Sequence, residues 1–352
     1  MSAPHGAAKH HASTVRKESS APKEEHVLEI TGTLSLREAL DGEATDVHLF
    51  PSPDLKRNDP PLAFAAARVR IGGILGPLMK VEPDVNDELF GLLSNPPKPD
   101  FSASLPSGRR LRIAIRTTCS LGSGEIFIRI LPETIPPVFR RLAHLLPELD
   151  SLNPGLFLVS GITGSGKSTF LASVAMRHLE LGAHVVTIED PVEYLIRSPD
   201  SSGYASQREV GIDVPDFASG VKMSMREDPD TIIVGEIRDA ETAVATLTAA
   251  ETGHTVLATV HAGGCYGTVD RFLSLLGGKE FEAMRLASTY VCGIHVTADS
   301  VEIEKNMECE RTYEIFRSND AARTHIRERA AHRLWQARLG TSEKDWKLTL
   351  RD

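Results

Sequence analysis

The stretch that most restricts what this chain can fold into is Gly161-Ile162-Thr163-Gly164-Ser165-Gly166-Lys167-Ser168, with Thr169 next. It follows the apolar run Leu156-Phe157-Leu158-Val159 and precedes a segment rich in Ala and Leu, which predicts strand, loop and helix. Glycines at 161, 164 and 166 permit torsions that aim successive N–H groups inward. Lys167 supplies a cation for β- and γ-phosphates, and Ser168 offers a hydroxyl to Mg²⁺ at the helix N-terminus. A phosphate-binding loop of this kind needs a parallel α/β scaffold behind it.

The remaining chain supplies one. From Gly155 onward, Leu156–Ser160, His184–Ile188, Thr231–Gly235 and Thr255–Val260 are short apolar or β-branched runs separated by segments of helical period. Buried strands alternating with helices predict a doubly wound, mainly parallel sheet with its ligand at the carboxyl ends of the strands. Helices are expected around Phe217–Met225, Ala240–Ala250, Val269–Leu276, Phe281–Tyr290 and Ala321–Ala337.

At 352 residues the chain suits two domains. Residues 1–25 carry little that is large and apolar, which predicts a disordered tail in which His5, His10 and His11 are solvated. Residues 26–132 read as a smaller α+β domain. It has helices over Leu34–Leu40 and Val85–Leu93, strands over Asp46–Phe50 and Ala67–Ile71, and a hairpin of Arg110–Arg116 with Glu125–Leu131 about the turn Leu121–Gly124. Residues 133–154 hold several prolines around an amphipathic helix, Val138–Leu146, and read as a linker to the domain 155–352.

The net charge of -9 argues against a general polyanion binder, and no stretch approaches a membrane span. The cysteines, Cys119, Cys265, Cys292 and Cys309, have no metal-ligand spacing. A cytoplasmic protein is expected.

Each later strand ends in a group that a nucleotide site can use. Glu189 and Asp190 follow the second strand, Glu236 the third and His261 the fourth, while His254 precedes the fourth. Hydrolytic phosphoryl transfer requires a water in line, a held Mg²⁺ and positive charge spread over the phosphate oxygens. Glu236 suits the water-orienting or base role. Glu189 and Asp190 suit the metal's water shell or a share of that role, with Ser168 as direct metal ligand and Glu189 or Glu236 acting through water. His254 and His261 are candidates for sensing the γ-phosphate.

These motifs resemble those of the secretion-superfamily traffic ATPases of type II secretion, type IV pili and type IVB secretion or conjugation. Thr187-Ile188-Glu189-Asp190-Pro191-Val192-Glu193-Tyr194 resembles the family's Asp box, and Arg226 through Asp239 its Walker B segment. Ala250 through His261 resembles its His box, and Gln207-Arg208-Glu209-Val210-Gly211 the run between the first two. The resemblance implies a RecA-like ATPase domain preceded by a PAS-like domain, with ATP and Mg²⁺ as cofactors. It also implies a homohexameric ring bound to an inner-membrane platform or secretion-channel protein. Arg110, Arg112 and Arg129 fall where the family's arginine-bearing strands would place cations for a nucleotide at a subunit boundary; Arg226 and Arg238 are further trans candidates.

The CxxC motif frequent in GspE-type members is absent, which leaves the short PilT-like and DotB/TraJ-like branches. The segment Ala321–Glu328 is an imperfect form of the retraction-motor helix motif, which tilts the expectation toward a type IVB secretion or conjugation motor. Two other classes fit a RecA-like site: a nucleic-acid translocase, disfavoured by 5% aromatic content and no basic tract, and an ATP-switched adaptor with little turnover. Nucleic acid is not expected as a direct ligand.

Overall fold

A computed structural model of the chain describes residues 33–51, 64–71, 74–82, 96–105, 107–117, 124–303, 306–337 and 346–351. The expected N-terminal tail, the helix over Val85–Leu93 and most of the turn Leu121–Gly124 lie outside the described residues.

The first sheet is built from β1 (Thr33–Ser35), β2 (Ala44–Pro51), β3 (Phe64–Ile71), β4 (Ile74–Leu75), β5 (Met79–Glu82), β6 (Asp100–Ser104), β7 (Arg110–Thr117) and β8 (Gly124–Leu131). Its order is β1-β5-β3-β2-β8-β7-β6, with β4 on β3. Period-two alternation puts Val47, Leu49, Phe101, Leu111, Ile113, Ile126 and Ile128 into one core, over which the helix Leu36–Asp41 packs. That helix starts at Ser35, whose hydroxyl accepts a hydrogen bond from the Glu38 N–H at 3.1 Å. The opposite phase of β7 and β8 carries Arg110, Arg112 and Arg129, and Arg112 pairs directly with Arg129 across the strands.

The second sheet contains β9 (Gly155–Ser160), β10 (His184–Glu189), β11 (Tyr204–Glu209), β12 (Thr231–Val234), β13 (Thr255–Val260), β14 (Tyr290–Ile303), β15 (Asn306–Arg317) and β16 (Lys347–Arg351). The order is β11-β10-β12-β13-β9-β14-β15-β16. From β11 to β14 the pairings are parallel, whereas β14–β15 and β15–β16 are antiparallel. Strands β9, β12 and β13 are buried throughout because helices cover both faces, which is why their sequences are continuous apolar runs.

The stretch between the sheets is irregular over 132–137 and then helical at Val138–Leu142 and Pro147–Asp150, with a 3₁₀ turn at Ala143–Leu145 between them. Val138, Phe139, Leu142, Leu145, Leu146 and Leu149 are buried in the core of the second sheet. At about 1.5–3 kcal/mol per large apolar side chain, that burial fixes the segment to the second sheet rather than leaving it a free tether.

Candidate nucleotide site

Register brings the site together. Val260 is level with Ser160, so His261 and Gly161 emerge side by side; Val234 is level with both Ile188 and Ala258, so Glu189 and Glu236 emerge on the next strands. Parallel strands place all these ends at one edge. After β9 the loop turns through Gly161 (φ 149°), Gly164 (φ 82°) and Gly166 (φ 100°) into the helix Lys167–Glu180. The left-handed torsion at Gly166 is one that a side chain would resist. The Lys167 ammonium donates to the carbonyls of Gly161 at 2.8 Å and Ile162 at 2.9 Å, curling over its own loop. Burial lowers the Lys167 pKa, and the charges of Glu236 and Glu193 oppose that shift.

Gly235 is required for a different reason. A Cβ there would stand 3.0 Å from the Ile188 carbonyl oxygen, and its N–H donates to that same oxygen at 2.8 Å. This close approach of β12 to β10 aims Glu236 into the cavity. Its carboxylate accepts from Arg238 at 2.6 Å and meets His261 Nε2 at 2.9 Å. Burial works against the Glu236 charge, but Arg238, His261 and Lys167 outweigh it and hold the carboxyl below its ordinary range. Glu189 is pushed the other way by burial, despite hydrogen bonds from Thr187 at 2.7 Å and Gln207 at 3.0 Å. Two carboxyl groups in one site thus have opposite tendencies toward the proton.

A cavity of about 570 Å³ joins these groups. Of the residues expected from sequence, it is lined by Thr163, Gly164, Gly166, Lys167, Ser168, Thr169, Glu189, Asp190, Glu236, Arg238 and His261, with Arg112 and Arg129 from the first sheet. Ser165 is wholly buried beneath the loop, and Gly161 contributes its carbonyl to Lys167. Ser168, in the first turn of the helix, lines the same cavity as Glu189 and Glu236. An oxygen-only donor set of this kind suits a small divalent cation that keeps much of its water.

Three expected residues are elsewhere. His254 stands at the opposite end of β13 from His261, roughly 20 Å away at strand rise. Its Nδ1 is bonded instead to the Ala249 carbonyl at 2.9 Å. Arg226 follows the helix Phe217–Ser224 before β12 begins and does not line the cavity. Arg110 is committed to a junction between the sheets, where it donates to the Val192 carbonyl at 2.7 Å and to Ser102 at 3.0 Å. Arg112 and Arg129 face the cavity of their own chain. Arg112 forms a two-point pair with Asp100, at 3.1 Å to each oxygen, and lies 3.5 Å from Glu193. Arg129 pairs with Asp46 at 2.9 Å.

The structure adds groups that the sequence reading passed over. Glu209 ends β11 and is buried, accepting from Ser102 Oγ at 2.7 Å and from the Val192 N–H at 3.0 Å. Lys98 reaches Asp190 at 2.9 Å and Glu209 at 3.4 Å. Glu193, Tyr194 and Arg311 also line the cavity, and the Tyr194 hydroxyl shares a hydrogen bond with Thr169 at 3.0 Å. Glu193 and Tyr194 close the Asp-box run, so position in that motif was a usable signal; Arg311 belongs to no motif.

The family model described as type II/IV secretion system protein matches residues 138–341. An uncharacterized protein of Escherichia coli K12, YggR, is 38% identical over 283 residues, spanning 76% of this chain and 84% of that one. A twitching motility protein of Neisseria gonorrhoeae is 36% identical over 238 residues, which cover 65% of this chain and 61% of its own length. Among solved structures, the pilus retraction motor PilT with bound ADP superposes with a TM-score of 0.69 at 31% identity, over 86% of this chain and 87% of that one. The second sheet and its helices have a RecA-like ATPase fold.

Proposed function

This chain belongs to the type II/IV secretion system protein family, the traffic ATPases, and from that membership we propose that it is a Mg²⁺-dependent ATPase working as a ring-forming motor. The observation that carries the reading is the Glu236 carboxylate, held ionised between Arg238 and His261 across the cavity from the phosphate loop. Glu236 accepts a proton from, or orients, the attacking water. Lys167 and the N–H groups of the loop hold the β- and γ-phosphates, and Arg238, with Arg112 and Arg129 on the facing wall, spreads positive charge over the transferring group. Ser168, with Glu189 and Asp190 through the ion's water shell, would hold Mg²⁺, which would neutralise phosphate charge. His261 reports the γ-phosphate through Glu236.

Arg112 and Arg129 come from the first sheet, so closure of the two sheets completes the charge set; a further arginine supplied in trans by a neighbouring subunit of a homohexamer fits the same chemistry. The irregular stretch 132–137 is the hinge of this motion. Similarity to the twitching motility protein and to PilT supports a role in type IV pilus dynamics over the type IVB machine favoured by the imperfect segment Ala321–Glu328. No helix among the described residues is long and apolar enough to cross a membrane. We place the ring at the cytoplasmic face of an inner-membrane platform.

Glu236→Gln tests this reading directly. ATP turnover falls by about 10²–10⁴-fold while ATP binding, measured by calorimetry, persists. A wild-type chain with negligible turnover, in rings as well as in isolation, would show an adaptor rather than a motor.

A further inference from the structure

Of the groups assigned so far, those at the strand ends of the second sheet lie on one side of the phosphate loop. Glu236, Arg238 and His261 follow β12 and β13, on one side of β9. On the other side of β9 lie β14 and then β15, and Arg311 stands on β15 between Ala298 of β14 and Leu350 of β16. Its side chain reaches back over the loop. Arg311 lines the cavity, and a Cβ on Gly166 would stand 2.7 Å from its Nε and 3.0 Å from its Cδ. The guanidinium stem therefore lies on the backbone that opens the helix Lys167–Glu180, in the space that a side chain at 166 would fill.

The geometry fixes which part of a ligand Arg311 can meet. A nucleoside polyphosphate whose terminal phosphate lay at Glu236 would extend along the loop toward β14 and β15. That would bring its inner phosphate toward the backbone around Gly166, where loop N–H groups and the Arg311 guanidinium lie. We propose that Arg311 is a nucleotide-binding residue of the same chain that pairs with the inner phosphate of ATP or ADP. This assignment rests on the nucleotide reading above and concerns the opposite end of the ligand from the hydrolytic groups. Because the inner phosphate is common to substrate and product, Arg311 holds both equally, whereas γ-side groups distinguish them.

The test measures ADP and ATP binding to the full chain by calorimetry, with Arg311→Gln and Arg311→Lys beside the wild type and thermal unfolding as the check on folding. Loss of one charge-assisted pair weakens both nucleotides by a similar factor, about tenfold, in the Gln variant and by less in the Lys variant. Wild-type ADP affinity in a folded Gln variant overturns the assignment of Arg311 alone. A wild-type chain that binds neither nucleotide overturns the underlying reading of the site. Should the Gln variant not fold, phenylglyoxal modification of the native chain gives the answer. ADP protects Arg311 if the proposal holds, and equal modification with and without ADP overturns it.

Discussion

His178 illustrates how a single side chain ties the phosphate-loop helix to its surroundings. It is wholly buried, its Nε2 bonded to the Leu149 carbonyl at 2.9 Å and its Nδ1 to the Thr231 hydroxyl at 2.8 Å. Burial lowers its pKa to about 4. The unfolded chain takes up this proton near pH 6.5 and the folded chain only near 4, so the contribution to stability is complete above the upper value. It is lost as pH falls through the window between them, up to about 3 kcal/mol in all. Thermal unfolding followed from pH 7 to pH 4 should show this loss, with a shallower slope in His178→Gln; parallel slopes would remove His178 from the account. Nothing around residue 178 in the sequence marks this role, because a buried neutral histidine and a solvated one are written identically. The place of Glu236 at the cavity was legible, since it follows the carboxyl end of an apolar strand in a parallel sheet that also carries the phosphate loop. His254 misled through symmetry: a histidine on each side of β13 looks alike until strand direction assigns one to the cavity and one to the far edge.

Among the elements, those with apolar runs were readable and those without were not. β9, β10, β12 and β13 are buried on both faces and so announce themselves. β11, Tyr204-Ala205-Ser206-Gln207-Arg208-Glu209, is a polar edge strand, and β14 continues directly from the helix Glu280–Thr289 without a turn residue to mark it. The hairpin of β14 and β15 was consequently absent from the expected fold, and with it Arg311. β11 matters for another reason: its terminal Glu209 is the acceptor around which Lys98, Ser102 and Val192 assemble. Lys98 also donates to the Val210 carbonyl. Glu209→Ala leaves the Val192 and Ser102 N–H groups and the Ser102 hydroxyl without their acceptor, while Lys98 keeps Asp190 and the Val210 carbonyl; the loss costs about 3 kcal/mol. Denaturant unfolding measures that loss, and limited proteolysis should find the irregular stretch 132–137 cleaved faster in the variant. Unchanged stability would mean that water replaces the carboxylate at no cost.

For the whole molecule, the ring remains an inference from family and chemistry, and it makes a quantitative demand. If neighbouring subunits complete the charge set, turnover per chain rises with protein concentration and levels off once rings dominate. Light scattering and ATPase assays on the same dilution series check this, and turnover per chain that is flat across the assembly transition counts against trans completion. The two-sheet organisation itself was visible in the sequence through the change from alternating to continuous apolar runs. The packing of 138–149 into the second core was not, since proline-rich composition marks irregular backbone without saying where that backbone is anchored.

The cavity has one wall from each sheet, with Arg112 and Arg129 facing the phosphate loop. A ligand that touches both walls binds the docked arrangement more tightly than the open one. By thermodynamic reciprocity, whatever factor docking adds to nucleotide affinity, the nucleotide returns to docking. If the chain is the nucleotide-driven motor proposed above, a partner that pulls the sheets apart expels nucleotide without approaching the loop, and an applied load sets the occupancy of the site.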